Sequence, residues 1–472
     1  MPFQKITPGD IAFFKSILEE KYVLADEENL NRCAADQTED LHYLPEIVLQ
    51  AGTTEEVSSI MKYCNAHNIP VTPRGAGTGL SGGALPVHGG VLLDMKRFNK
   101  ILHVDKRNFQ VTTEPGVITQ ELQEHLKAEG LFYPVDPASK GSCFIGGNVA
   151  ENSGGPRAVK YGVVKDYVLN LEMVLPNGEI IWTGANVLKN ATGYNLTQLV
   201  VGSEGTLGII TKIVLRLIPA VKHDLLLLVP FRKAVEACAA VNAIFLAGYT
   251  PSALEFMERD ALEWSMKYVQ SGGVPIAIGI PEDIAAHLLI EVDGNHMDEL
   301  YRDAEAIAQL VQQYDIGEVL FADSHEQKQM LWTLRRKVGE AVKSNSIYKE
   351  EDTVVPRAEL PELLQIIKDL GREYGFQSVC YGHAGDGNLH VNIVKGNMSD
   401  EDWQHRLPQG IRKLFKEVVR MGGTISGEHG IGLVQREYMD IAFSSVQMGL
   451  MRQIKNVFDP NGILNPGKIL MS

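Results

Sequence analysis

The sequence predicts an α+β fold, and three observations predict it. Helical and strand-like patterns are mixed without a regular βα repeat, which argues against a parallel doubly wound sheet. Composition changes around Ile218-Pro219, which marks a domain boundary. After Ser426 the chain turns glycine-rich and ends in the turn-dense run Asp459-Pro-Asn-Gly-Ile-Leu-Asn-Pro-Gly467, which reads as a tail held against something. At 472 residues the chain is long enough for two or three domains, each with its own core.

The elements follow in order. Thr7-Pro-Gly-Asp10 is a capping box ahead of a helix carrying Ile11, Phe14, Ile17 and Leu18. Thr53-Thr-Glu-Glu56 opens a second helix with Val57, Ile60, Met61 and Cys64 on one face. A β-type run, Ile69-Pro-Val-Thr72, leads through a loop to Val91–Met95 and then to the alternating strand Gln110–Glu114. Leu122 to Leu131 reads as a helix stopped near Gly130. From about 222 to 425 strands alternate with helices, one of them with Leu363, Ile366, Ile367 and Leu370 on one face. There is no internal repeat and no low-complexity segment.

Composition narrows the function. A formal charge of −15 disfavours a nucleic-acid groove and a general attraction to anionic lipid. The five cysteines are scattered without a CxxC spacing, so the chain offers neither a zinc knuckle nor an iron–sulfur cluster, and it suits a reducing compartment. Met1 to Asp10 lacks the apolar core of a signal peptide, and Leu225–Val229 and Val274–Pro281 are too short to span a bilayer. The expectation is a soluble cytoplasmic protein with no nucleic-acid partner and no transmembrane segment.

Two kinds of motif carry chemistry. Pro73-Arg-Gly-Ala-Gly-Thr-Gly-Leu-Ser-Gly-Gly83 packs five glycines into eleven residues, so successive backbone N–H groups can converge on an anion. It is neither a Walker loop nor a GxGxxG fingerprint. Asp136–Gly155 and Val201–Ile210 are two further loops of small residues, and three such loops in one domain imply an elongated phosphorylated ligand, a dinucleotide best of all. The second motif is His383-Ala-Gly-Asp-Gly-Asn-Leu-His390 with Ser426-Gly-Glu-His-Gly430. A reversal at Gly385–Gly387 can return His390 towards His383, and Glu428 and His429 can divide the roles of ion ligand and base. Imidazole and carboxylate suit zinc, manganese or iron. Any one of these histidines alone would read as an ordinary strand residue satisfied by hydrogen bonds.

In this order, the Pro73–Gly83 loop, Ile145-Gly-Gly-Asn148 with Asn152-Ser-Gly-Gly155, Gly202-Ser-Glu-Gly-Thr-Leu-Gly208, His383–His390 and Gly427-Glu-His-Gly430 resemble the FAD-linked D-2-hydroxyacid dehydrogenases of the vanillyl-alcohol-oxidase/PCMH flavoprotein superfamily. That group includes D-lactate dehydrogenases, the FAD-linked subunit of glycolate oxidase and D-2-hydroxyglutarate dehydrogenase. The resemblance runs from about residue 38 to the end, and with the N-terminal helix read above it gives an expected division into four parts. Residues 1–37 are an N-terminal helical segment. Residues 38–219 form a PCMH-type FAD-binding domain of two α+β subdomains. Residues 220–425 form an antiparallel-sheet cap domain for the substrate, and 426–472 complete the active site. Arg74, Gly75, Ala76, Gly77, Thr78, Gly79, Leu80, Ser81, Gly82 and Gly83 would hold the pyrophosphate. Pro137, Ser142, Ile145, Gly146, Gly147, Asn148 and Ala150 would line the flavin and adenosine path. Glu204, Gly205 and Ile210 would complete it, with Asn465 returning to the flavin. The resemblance implies non-covalent FAD, since the loop holds no histidine and Cys143 sits in a stretch that accompanies non-covalent binding in this branch.

The reaction then implied is oxidation of a D-2-hydroxyacid, D-lactate first, with glycolate and D-2-hydroxyglutarate as alternatives. His383, His390 and Glu428 would hold a divalent metal, zinc first, that chelates substrate. His429 would remove the hydroxyl proton. Arg335, on Leu331-Trp-Thr-Leu-Arg335, would grip the carboxylate, Lys349 would be a second cation, and Asn392 would hydrogen-bond the substrate. Asp386 reads as a turn residue. With no cluster cysteines, electrons would leave to a quinone, an electron-transferring flavoprotein, a cytochrome or an iron–sulfur partner subunit, and that partner could hold the protein peripheral to the inner membrane. A homodimer is compatible with this reading. The competing reading from another class is a metal-dependent nucleotide hydrolase.

Overall fold

The computed structural model describes residues 2–38, 41–276 and 278–471. Met1, the start of the 38–219 domain at Glu39 and Asp40, Ala277 within the Val274–Pro281 run, and Ser472 lie outside the described residues. The chain divides into two compact units. The first comprises Met1–Gly154, Val163–Ala220 and Glu428–Ser472, and the second Gly155–Gly162 and Val221–Gly427. The short insertion Gly155–Gly162 carries no mark in the sequence.

In the first unit, the helix Pro8–Ile17 starts on the capping box of Thr7 and Asp10. The helix Thr54–Ala66 buries Val57, Ile60, Met61 and Cys64, as its periodicity requires. Both pack on a four-stranded sheet ordered Val23–Leu24, Ile47–Leu49, Val91–Asp94, Val71–Arg74, whose last three strands are parallel. The C-terminal tail joins this layer: Val71 N–H donates to the Ile463 carbonyl (2.8 Å) and Asn465 N–H to the Val71 carbonyl (2.7 Å). A five-stranded antiparallel sheet forms the other layer, ordered Ile101–Asp105, Gln110–Thr113, Ile209–Arg216, Val168–Val174, Ile180–Trp182. The helix expected over 122–131 spans Thr119–Ala128. It still buries Leu122 and Leu126, but Gly130 takes a left-handed φ of 74° and Leu131 already starts a short strand.

The second unit is built on a seven-stranded antiparallel sheet. Its order is Leu320–Ala322, His223–Phe231, Ala286–Gly294, Ala253–Glu258, Gln377–Gly382, Asn388–Val394, Tyr348–Val354. Register aligns Met257, Tyr381, His390 and Asp352 in one cross-strand row. Alternation then puts Glu255, Asn392 and Glu350 on that same face. This face also carries an apolar cluster that includes Leu331, Trp332 and Leu334 of the helix His325–Arg336. The helix Leu360–Tyr374 buries Leu363, Leu364, Ile367 and Leu370, with Leu364 in the place expected for the half-buried Ile366. It stops where Gly375 turns left-handed. Among the described residues, no helix is long and apolar enough to cross a membrane.

Candidate functional site

Each unit carries one candidate site. In the first, a cleft with roughly 1450 Å³ of atom-free space, its open mouth included, is walled largely by glycine-rich loops. Such a space suits an elongated ligand better than a lone phosphate. The backbone N–H groups of Ala76 to Leu80 have no hydrogen-bond partner among the described residues, so five consecutive donors stand ready for an anion. Their loop is braced from behind by Arg74, whose guanidinium donates to the Ala35 carbonyl (2.7 Å). A Cβ on Gly79 or Gly147 would meet no atom within 4 Å and would stand in open space, whereas one on Gly146 would lie 2.4 Å from Pro115. Phe144, Met95 and Ile209 add apolar surface. Donors for a pyrophosphate and an apolar bed for a ring system fit FAD.

Of the residues expected to bind the cofactor, Arg74, Gly75, Ala76, Gly77, Thr78, Gly79, Leu80, Gly83, Pro137, Gly146, Gly147, Asn148, Ala150, Glu204, Gly205 and Ile210 line this cleft. Five do not. Ser142 is exposed and its hydroxyl turns back to the Ser139 carbonyl. Ile145 is fully buried in the apolar core. Ser81 and Gly82 lie behind the loop: the Ser81 carbonyl accepts from Leu433 N–H (2.8 Å), and Gly82 N–H donates to the Thr38 hydroxyl (2.7 Å). Asn465 is also behind it, its amide donating to the carbonyls of Gly83 (3.0 Å) and Glu204 (2.8 Å), so it ties two loops together.

Glu428 and His429 are on the wall of the same cleft. Their segment is pinned by Glu204, which accepts N–H bonds from Ile431 (2.8 Å) and Gly432 (2.6 Å). Glu151, another wall residue, was not singled out in the sequence. Burial, with the nearby Glu204 charge, pushes its carboxyl well above the usual range. Nothing in the spacing of Ala150-Glu-Asn152 signals that role. Phe144, Met95 and Pro115 also line the cleft without having been singled out, since a lone apolar residue carries no binding signal of its own.

In the second unit the turn Ala384–Asp386 and the left-handed Gly387 close a hairpin that brings the His383 and His390 rings to 5.4 Å, edge to face. Both are buried. Glu255 accepts from His383 Nδ1 through both oxygens (2.8 and 2.9 Å). A carboxylate only accepts, so Nδ1 carries the hydrogen, and in the neutral ring the lone pair is then on Nε2. His390 Nδ1 lies 3.5 Å from Glu350 and 3.7 Å from Asp352. Two imidazoles ringed by carboxylates are a donor set that fits a divalent first-row ion.

The expected substrate residues divide. Asn392 is fully buried beside Tyr381 and makes no well-formed hydrogen bond with either amide atom. Arg335 is not the free cation expected: its guanidinium is buried and lies 2.6 Å from Glu255, over the Tyr381 ring, with Nε still unpartnered. Burial works to raise Glu255, but Arg335, His383 and His390 more than offset it and hold the carboxyl below its ordinary value. Lys349 is a correction. It pairs in register with Ile393, so alternation turns it to the opposite sheet face, where its ammonium lies 6.0 Å from the Trp403 ring centre. Its neighbour Glu350 takes the site-facing position, and the Tyr381 hydroxyl donates to it (3.3 Å).

Residues 45–184 match an FAD binding domain, and residues 221–469 match the C-terminal domain of FAD linked oxidases. The chain is 40% identical over 468 residues to a D-lactate dehydrogenase of Anaerostipes hadrus, covering 99% of this chain and 98% of that one. It is 38% identical to glycolate oxidase subunit GlcD of Bacillus subtilis strain 168, covering 94% and 93%. Its fold is shared with p-cresol methylhydroxylase in a substrate-bound crystal structure, at 18% identity and a TM-score of 0.81, covering 99% of this chain and 98% of that one. With an FAD binding domain followed by the C-terminal domain of FAD linked oxidases, and relatives alike from end to end, the chain belongs to the FAD-linked oxidase family, and it is a flavin-dependent oxidoreductase.

Proposed function

We propose that the protein oxidises a small D-2-hydroxyacid, D-lactate or a close relative, to the 2-oxoacid, using non-covalently bound FAD and a divalent metal. One observation carries this reading: a glycine turn sets two buried imidazoles 5.4 Å apart in a member of a flavin-dependent family. FAD would be held by the Ala76–Leu80 donors, and the metal by His383, His390 and Glu428. When bound, FAD supplies a hydride acceptor and the ion a Lewis acid.

The chain's own residues do the rest. His429 takes the substrate hydroxyl proton, a role worth about 10²–10⁴-fold in rate. Asn392 and the open Nε of Arg335 orient the substrate, where an unmet buried donor gains most from a partner. Glu350 favours a short monocarboxylate. Lys349 faces away and Arg335 is held by Glu255, so a second carboxylate would meet an acid rather than a free cation. This disfavours D-2-hydroxyglutarate. The similarity to a glycolate oxidase subunit supports a partner or external carrier as electron acceptor, since the five cysteines are single, buried and unpaired. The cofactor domain of 38–219 and the cap of 220–425 are the parts we assign to flavin and substrate.

The test is a substrate panel. D-lactate or glycolate should reduce the bound flavin anaerobically, with L-lactate and D-2-hydroxyglutarate far slower. Fastest reduction by D-2-hydroxyglutarate would overturn the substrate assignment. Acid precipitation should leave the flavin in the supernatant, and flavin retained in the pellet would refute non-covalent binding.

A further inference from the structure

We propose that Glu255 is a positioning residue that fixes His383 as a metal ligand and anchors Arg335 beside it, which ties the ion site to the carboxylate-binding group. The proposal rests on the metal-dependent reading above and extends it to a residue with no assigned role.

Glu255 is fully buried on the strand Ala253–Glu258, next to the strand that leads into the histidine hairpin. Both its oxygens accept from His383 Nδ1 (2.8 and 2.9 Å), which locks the ring's orientation and leaves Nε2 as its coordinating atom. One of those oxygens also lies 2.6 Å from the Arg335 guanidinium. A second fully buried acid in this unit, Glu291, shows the contrast: Arg157, Ser252 and Trp332 satisfy it, and none of them is a candidate site residue. Glu255 spends its hydrogen bonds on the site itself.

The experiment uses full-length, flavin-loaded Glu255→Gln. Zinc bound at equilibrium in a chelator-buffered series, together with kcat and KM for D-lactate, gives the readout. The variant should stay yellow and lose about 10- to 100-fold in zinc affinity. At saturating zinc its kcat should recover while KM remains raised, because Arg335 has lost its anchor. Wild-type zinc affinity in a folded Glu255→Gln would overturn the proposal. If that variant fails to fold, histidine-¹⁵N NMR of the zinc-free wild type decides, with the signal identified by its loss in His383→Asn. A protonated Nδ1 and bare Nε2 support the role, and the opposite tautomer refutes it. A wild type that binds no zinc would instead sink the metal-dependent reading, and the tautomer measurement would still decide the positioning of His383.

Discussion

His287 and His383 are both buried in the second unit, and what surrounds each imidazole decides its use. His383 meets a carboxylate. His287, between Pro230 and Met257 in the sheet, meets nothing at Nδ1, and burial with Arg259 nearby pushes it down to about 4. Its folded value lies below the ordinary 6.5, so the unfolded chain binds the extra proton. Stability is therefore intact above pH 6.5 and is lost as pH falls from 6.5 to about 4. The loss amounts to roughly 3 kcal/mol at most. His287→Leu should flatten that slope in urea unfolding between pH 7 and 4.5, and an unchanged slope would contradict the assignment. His429→Ala should keep flavin and zinc and lose about 10²–10⁴-fold in turnover, measured beside flavin absorbance and metal content. At this scale the sequence is legible where ligands cluster within a few positions, as in His383–His390. It was silent on Glu255, which is 128 residues from its partner His383, and misleading for Lys349, whose face depends on a strand register no local pattern reveals.

Elements divide in the same way. The helices Pro8–Ile17 and Thr54–Ala66 were readable because a cap and a 3.6-residue apolar period are local signals. Ser142 and Ile145 were misplaced because they flank a loop-to-helix junction where nearby residues face different ways: Ser142 ends in solvent and Ile145 in the core. The histidine hairpin depends on its turn. Gly387 has φ of +77°, and a Cβ there would sit 1.9 Å from the Val355 carbonyl. Gly387→Ala should therefore spread the hairpin, costing at least about 1–3 kcal/mol. Zinc content and thermal melting of the second unit should fall while the flavin spectrum persists. Retention of full zinc binding would show that the turn does not set the imidazoles.

At the scale of the whole molecule, the interleaving of the chain was the least legible feature. Gly155–Gly162 belongs to the second unit because Arg157 pairs in two hydrogen bonds with buried Glu291, 134 residues away (3.1 and 3.3 Å), and Lys160 reaches the Asp293 carbonyl (3.0 Å). Recognition over that distance leaves no trace in periodicity or turn chemistry. Arg157→Met would strand a buried carboxylate and should destabilise the second unit by about 3 kcal/mol, read as a lower urea midpoint. The glycine loops were legible because their function needs backbone rather than side chains, and backbone freedom is written as glycine. The central claim is that a cradle for FAD and an imidazole–carboxylate ion site serve one reaction. Anaerobic reduction of the bound flavin by D-lactate tests it most directly when followed before chelation, after chelation, and after zinc or manganese is restored. The account predicts rapid bleaching, loss of bleaching in a protein that stays yellow, and recovery with the metal; bleaching at an undiminished rate in protein shown to be metal-free would contradict it.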